Sequence, residues 1–245
     1  MYNLAQYIAF RAFLGVPHLI NPTHADYINY ENLWLDYLNN IVIPTVNQKK
    51  PKRISIIAME SAPGGNVHPH PNYIFNNLHA LTMHPQDMYL RAFFNGSHHI
   101  YGQHANGLTK LECLQGLINA LDATNMERPI VLMDLFASHG VTLNANQRGL
   151  LSGNVHGVLD PLVTHEIQYK LDFIHANLLA TNSLTWNDVN FKFACPPTSM
   201  STEIVNFINV TFPGITIHPI NINNAGRGVA PNQNTLRENI LLHGF

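Results

Sequence analysis

The chain has 245 residues, of which 46% are apolar and only 11% charged, with a formal net charge of −2 and a pI of about 6.7. That apolar share builds a sizeable core and excludes disordered, collagen-like and coiled-coil chains, while the charged share is under half the usual ~25%. With 13 Lys plus Arg there is no basic stripe of the kind that neutralises duplex phosphates, which argues against a protein that lives on duplex DNA.

The amino-terminal run MYNLAQYIAFRAFLGVPHLI is apolar in cast, has no basic stretch ahead of it and is broken by Arg11. It reads as a helix over residues 1–15 rather than a signal peptide or a bilayer span, so a soluble, cytoplasmic protein is expected, with no membrane partner. Tyr27, Tyr30, Trp34, Tyr37, Leu38 and Ile41 then form one apolar helical face over 25–41, and residues 1–50 read as a helical extension packed on a single domain spanning 1–245. Lys49, Lys50, Pro51, Lys52 and Arg53 form a solvated loop that stops the helix, or a small anion patch.

Residues 54–59, Ile-Ser-Ile-Ile-Ala-Met, predict a strand buried on both faces, followed by Glu60-Ser61-Ala62-Pro63-Gly64-Gly65. Thr109, with Glu112 three residues on, predicts a capping box opening a helix whose buried stripe is Leu111, Leu114, Ile118 and Leu121. Residues 129–134 predict a second buried strand ending in Asp134, and Asp160-Pro161 starts a helix carrying Ile167, Leu171, Ile174 and Leu178. A third strand covers 189–194, Ser199 or Ser201 caps a short helix, a fourth strand covers 215–217 and leads into His218-Pro219, and a last helix spans Thr235 to Leu242. Strands alternating with helices predict an α/β fold: a three-layer α/β/α domain around a mostly parallel four-stranded sheet.

Ligands of such sheets bind at the carboxyl ends of the strands. The residues placed there are Glu60, Ser61, Pro63, Gly64, Tyr73 and Phe75 after the first strand; Asp134, Ser138 and His139 after the second; Cys195 and Ser199 after the third; and His218 and Asn221 after the fourth. The two cysteines, Cys113 and Cys195, are too few for a disulfide framework, and no CxxC is present to hold zinc. The histidines at 68, 70, 79, 84, 98, 99 and 104 lack a completed ligand set and read as surface polar groups, so no metal or other cofactor is expected. A Ser-His-Asp hydrolase on Ser61 or Ser138 with His218 lacks the Gly-x-Ser-x-Gly elbow.

Taken in order, these strand ends resemble the uracil-DNA glycosylase superfamily over about residues 52 to 230. Glu60-Ser61-Ala62-Pro63-Gly64 is similar to the family's Gly-Glu-Ala-Pro-Gly first motif, Val131-Leu132-Met133-Asp134 to its strand ending in a base-reading Asn, and Ile217-His218-Pro219-Ile220-Asn221 to its His-Pro-Ser last motif. The resemblance implies a four-stranded parallel sheet flanked by helices. It also implies cleavage of an N-glycosidic bond of a base in single-stranded DNA or a nucleoside. Phe75 would stack on the base, Asp134 read its edge, His218 support the departing anion and Glu60 orient water. Ser61 takes the position of the family's acid and Glu60 that of its glycine, while Asp134 replaces the Asn, and a carboxylate accepts but does not donate unless protonated. The alternative is a glycosylase-fold protein that binds a ligand without catalysis. Clustering of Lys110, Arg148, Arg227 and Arg237 at the site separates nucleic acid from small molecule. Loss of activity in a folded His218→Ala variant is the test of the last motif.

Overall fold

The computed structural model describes residues 1–17, 22–62, 64–71, 73–81, 107–121 and 126–221. Four strands, β1 (Ile54–Met59), β2 (Ile130–Asp134), β3 (Val189–Cys195) and β4 (Ile217–Asn221), form one all-parallel sheet in the order β2-β1-β3-β4. β1 and β2 are buried at every position and β3 at nearly every one, which is why they read as unbroken apolar runs rather than alternating ones. β4 starts two residues later than the expected 215–217 and takes in His218 and Pro219. An edge strand tolerates this proline because its missing N–H need not face a neighbour.

Helix α1 (Leu4–Phe13) is opened by a capping box on Asn3, and α2 (His24–Tyr37) by one on Thr23 and Asp26. A π-helical turn over Leu38–Val42 carries α2 into α3 (Ile43–Lys49), so this helical stretch outruns the expected end at 41. It stops in the basic run, where Lys50 adopts the left-handed conformation (φ 46°). Lys49 pairs with Glu127 at 2.9 Å. The predicted boxes at Thr109 and the Asp160-Pro161 start open α4 (Lys110–Ile118) and α6 (Pro161–Ile174), and Ser201 rather than Ser199 caps α7 (Thr202–Thr211). Helix α5 (Ala145–Leu151), absent from the expectation, is opened by Asn144 and Gln147. The expected helix at 235–242 lies outside the described residues.

Helices cover both faces, giving the three-layer α/β/α arrangement. α2 and α6 lie on the face to which Asp134 points, and α5 on the other, where Ser201 at the head of α7 bonds the Ser152 carbonyl at its end. Tyr27, Tyr30, Trp34 and Tyr37 of the first fifty residues belong to one hydrophobic core running from Tyr2 to Ile220. Among the described residues no helix is long and apolar enough to cross a membrane.

Candidate functional site

Parallel register decides which strand-end residues meet. Asp134 pairs with Met59, Met59 with Ala194 and Ala194 with Ile220, so Glu60 lies one position beyond the Asp134 row. Successive side chains point to opposite faces, which sends Asp134 and Glu60 to opposite sides of the sheet. His218 pairs with Lys192, two positions behind the Asp134 row on the far edge, three strand spacings or about 14 Å from β2. The expected convergence of Glu60, Asp134 and His218 is therefore not formed.

Asp134 instead gathers a different set of groups. The Tyr73 hydroxyl donates to its Oδ2 at 2.6 Å, while Oδ1, buried, has no hydrogen-bond partner among the described residues. Burial pushes the Asp134 carboxyl up, against the pull of His139, Lys170 and the Tyr73 bond. Tyr73 meets Phe75 edge-on at 5.2 Å, and Tyr37 stacks on Phe75 at 4.7 Å, so the ring expected to stack on a base carries a core tyrosine. Lys110 pins this stretch by donating to the carbonyls of Pro71, Tyr73 and Asn76 at 2.9–3.1 Å.

The loops after β1 and β2 lie against each other. A Cβ on Gly64 would sit 2.2 Å from Thr142 Oγ1 and 2.8 Å from its backbone nitrogen, so only glycine allows the approach. Ala62 N–H donates to His139 Nδ1 at 3.3 Å. Pro63 lies outside the described residues, as do the side chain of Asn221, the histidines at 84, 98, 99 and 104, and the arginines at 227 and 237.

His139 leads into a buried ionic chain. Its Nε2 stands 2.5 Å from Glu31 Oε1, Lys170 Nζ binds the same oxygen at 2.9 Å and lies 3.6 Å from Glu166, and Tyr27 donates to Glu166 at 3.2 Å. With Nδ1 accepting from Ala62, the ring takes the Nε2–H tautomer and donates to Glu31. The signal for these residues was present in the helices. Glu31 lies among Tyr27, Tyr30 and Trp34, and Glu166 and Lys170 among Val163, Ile167, Leu171 and Ile174, charged residues on faces that are otherwise core.

Burial would push Glu31 up, but Lys170 and then His139 outweigh it and hold the carboxyl down at about 2, from 4.5. An acid held below its unfolded value adds stability that is present above pH 4.5 and lost as pH falls from there toward 2. Glu166 and Asp134, pushed up chiefly by burial, act in the opposite sense and stabilise as they protonate. Unfolding free energies measured across this window are expected to show the Glu31 loss in the native chain and not in Glu31→Gln.

On the opposite face Glu60 is enclosed. Arg148 Nε donates to its Oε1 at 2.7 Å and Nη2 to its Oε2 at 3.3 Å, Ser199 Oγ donates to Oε1, and Arg148 Nη1 binds the Leu143 carbonyl. The neighbouring Cys195 thiol is pushed well up by burial and by Glu60, which marks it as an inert core group. Ser61 is half-buried.

Neither protein-family models, nor characterised proteins, nor solved structures give a match to the chain. The chemistry of the site therefore rests on its own groups. Among the described residues no cluster of three His, Cys, Asp or Glu side chains could hold a metal ion. The arrangement sets a buried carboxyl with one oxygen unpartnered among the described residues beside aromatic rings and a carboxylate-bound imidazole.

Proposed function

We propose that this chain recognises a nucleobase, free or in a nucleoside, at the carboxyl ends of β1 and β2, in the manner of a divergent glycosylase-like protein. The observation that carries the reading is Asp134: a fully buried carboxyl with one oxygen bound by Tyr73 and the other unpartnered among the described residues is costly unless a ligand completes it. The parallel four-stranded sheet flanked by helices agrees with the fold that the first and last motifs imply. Of the four cations that would have marked a nucleic-acid surface, Lys110 binds loop carbonyls internally and Arg148 is spent on Glu60. That favours a base or nucleoside over a DNA strand.

Equilibrium dialysis against adenine, cytosine, hypoxanthine and uracil and their nucleosides tests this. At least one is expected to bind, and Asp134→Ala is expected to raise its Kd roughly ten- to a hundredfold, because a hydrogen bond to a charged group contributes ~1.5–3 kcal/mol. Binding that is indifferent to Asp134 would place the ligand elsewhere. The second reading, recognition without cleavage, is favoured by Glu60, whose carboxylate is engaged by Arg148 and Ser199 on the far face.

A further inference from the structure

The buried imidazole of His139 lies between two groups that make opposite demands on it. Its Nδ1 stands 3.3 Å from the Ala62 backbone nitrogen, a donor, and 3.6 Å from Asp134 Oδ2, an acceptor. A ring nitrogen serves the first only with a bare lone pair and the second only when it carries a proton. The other nitrogen decides where an added proton goes. Nε2 stands 2.5 Å from Glu31 Oε1, and against burial Lys170 and then His139 hold that carboxyl down at about 2. Nε2 therefore keeps its hydrogen on Glu31, and Nδ1 is the atom that changes. The ring stacks on Tyr30 at 5.4 Å and Tyr27 at 6.1 Å, and turning it over would carry Nε2 away from Glu31. Glu31, Tyr27 and Tyr30 face it from α2, Lys170 and Glu166 lie behind Glu31 on α6 with the Met1 amino group beyond, and Asp134 faces it from β2. After β1, Tyr73 lies 6.2 Å away with its hydroxyl on Asp134, and His68 meets the Tyr30 hydroxyl at 3.1 Å.

We propose that His139 is a proton-operated latch on the turn after β1: neutral, its Nδ1 holds the Ala62 N–H, and protonated, it turns to Asp134 and lets Ala62 go. The inference stands apart from base recognition and does not depend on it. Two N–H groups cannot face each other across 3.3 Å, so protonation of Nδ1 ends the Ala62 bond. The same proton draws Nδ1 and Asp134 Oδ2 together from 3.6 Å toward the ~2.7–2.9 Å of a charge-assisted hydrogen bond. A long bond between uncharged groups is thereby exchanged for a shorter and stronger one. The Ala62 bond is one of the ties between this turn and the loop after β2. Another, from Gly65 N–H to the Gly140 carbonyl, is also long at 3.4 Å. Gly64 lies so close on Thr142 that a Cβ would overlap it, a contact kept only while the two segments are pressed together. Loss of the Ala62 bond therefore loosens the turn at the carboxyl end of the sheet.

Nitrogen-15 NMR of the full chain, scanned from about pH 9 to pH 4 around the usual histidine range, reads the latch directly. As pH falls, Nδ1 of His139 is expected to pass from the bare to the protonated nitrogen shift while Nε2 stays protonated. The Ala62 amide is expected to move with the same midpoint. Its hydrogen exchange, corrected for the intrinsic effect of pH, should quicken at least about tenfold across the transition. In His139→Asn the side-chain oxygen can still accept from Ala62 and takes up no proton, so the Ala62 amide is expected to stay put across the scan. In Asp134→Asn the transition is expected at lower pH, because the carboxylate that receives the Nδ1 proton is gone. A ring that takes up its proton while Ala62 stays still overturns the latch, as does a ring that keeps one state throughout. An Ala62 transition that survives in His139→Asn, or keeps its native midpoint in Asp134→Asn, overturns it as well. Should either variant fail to fold, the shared midpoint of His139 and Ala62 in the native chain decides the matter.

Discussion

Replacing Lys170 by Met is expected to lower folding stability by ~3–5 kcal/mol, the cost of removing one partner from a buried ion pair. Lys170 is fully buried, lies 2.9 Å from Glu31 and 3.6 Å from Glu166, and sits over the Trp34 ring at 5.6 Å. Without the ammonium, the Glu31 and Glu166 carboxyls stand close together in the core having lost the cation that lies against both. Adding Glu31→Gln to the Lys170→Met chain should recover part of the loss, because it removes one of the stranded charges. Urea unfolding of the single and double variants reads the difference. A loss below about 1 kcal/mol would mean that the ionic chain is relieved by water rather than held dry.

Much of the fold was legible because it depends on local rules. Buried parallel strands announce themselves as continuous apolar runs, and the Thr109 box and the Asp160-Pro161 start announce helix heads. The helix at 145–151 carried the same signal in Asn144 and Gln147, and it was missed because its apolar stripe is only two turns long. The site was less legible because it depends on register, which no local pattern encodes. A one-residue offset between β1 and β2 turned Glu60 away from Asp134, and a two-residue shift in the start of β4 drew His218 back into the sheet. Tyr73 and His139, which meet Asp134, stand in the strand-end loops that the sequence pointed to, whereas the ionic chain behind His139 comes from α2 and α6, distant in sequence. What marked them was only that Glu31, Glu166 and Lys170 occupy core-facing helix positions where charge is out of place.

Glu60 supplies the sharpest contrast between motif and geometry. If it acted as the acid of an N-glycosidic site, Glu60→Ala would abolish cleavage while leaving the fold intact. Its surroundings predict the reverse. Glu60→Ala leaves the Arg148 guanidinium buried with only the Leu143 carbonyl among these partners, and is expected to cost ~3–5 kcal/mol of stability. Replacing the pair together, with Glu60→Leu and Arg148→Met, is expected to cost less than either single change, because no charge is then left unpaired in the core. Base affinity of the double variant should match the native chain, since both side chains lie across the sheet from Asp134. A stable Glu60→Ala chain that no longer handles base would instead restore the acid of the first motif to the site, and would require the loop after β1 to rearrange when ligand binds.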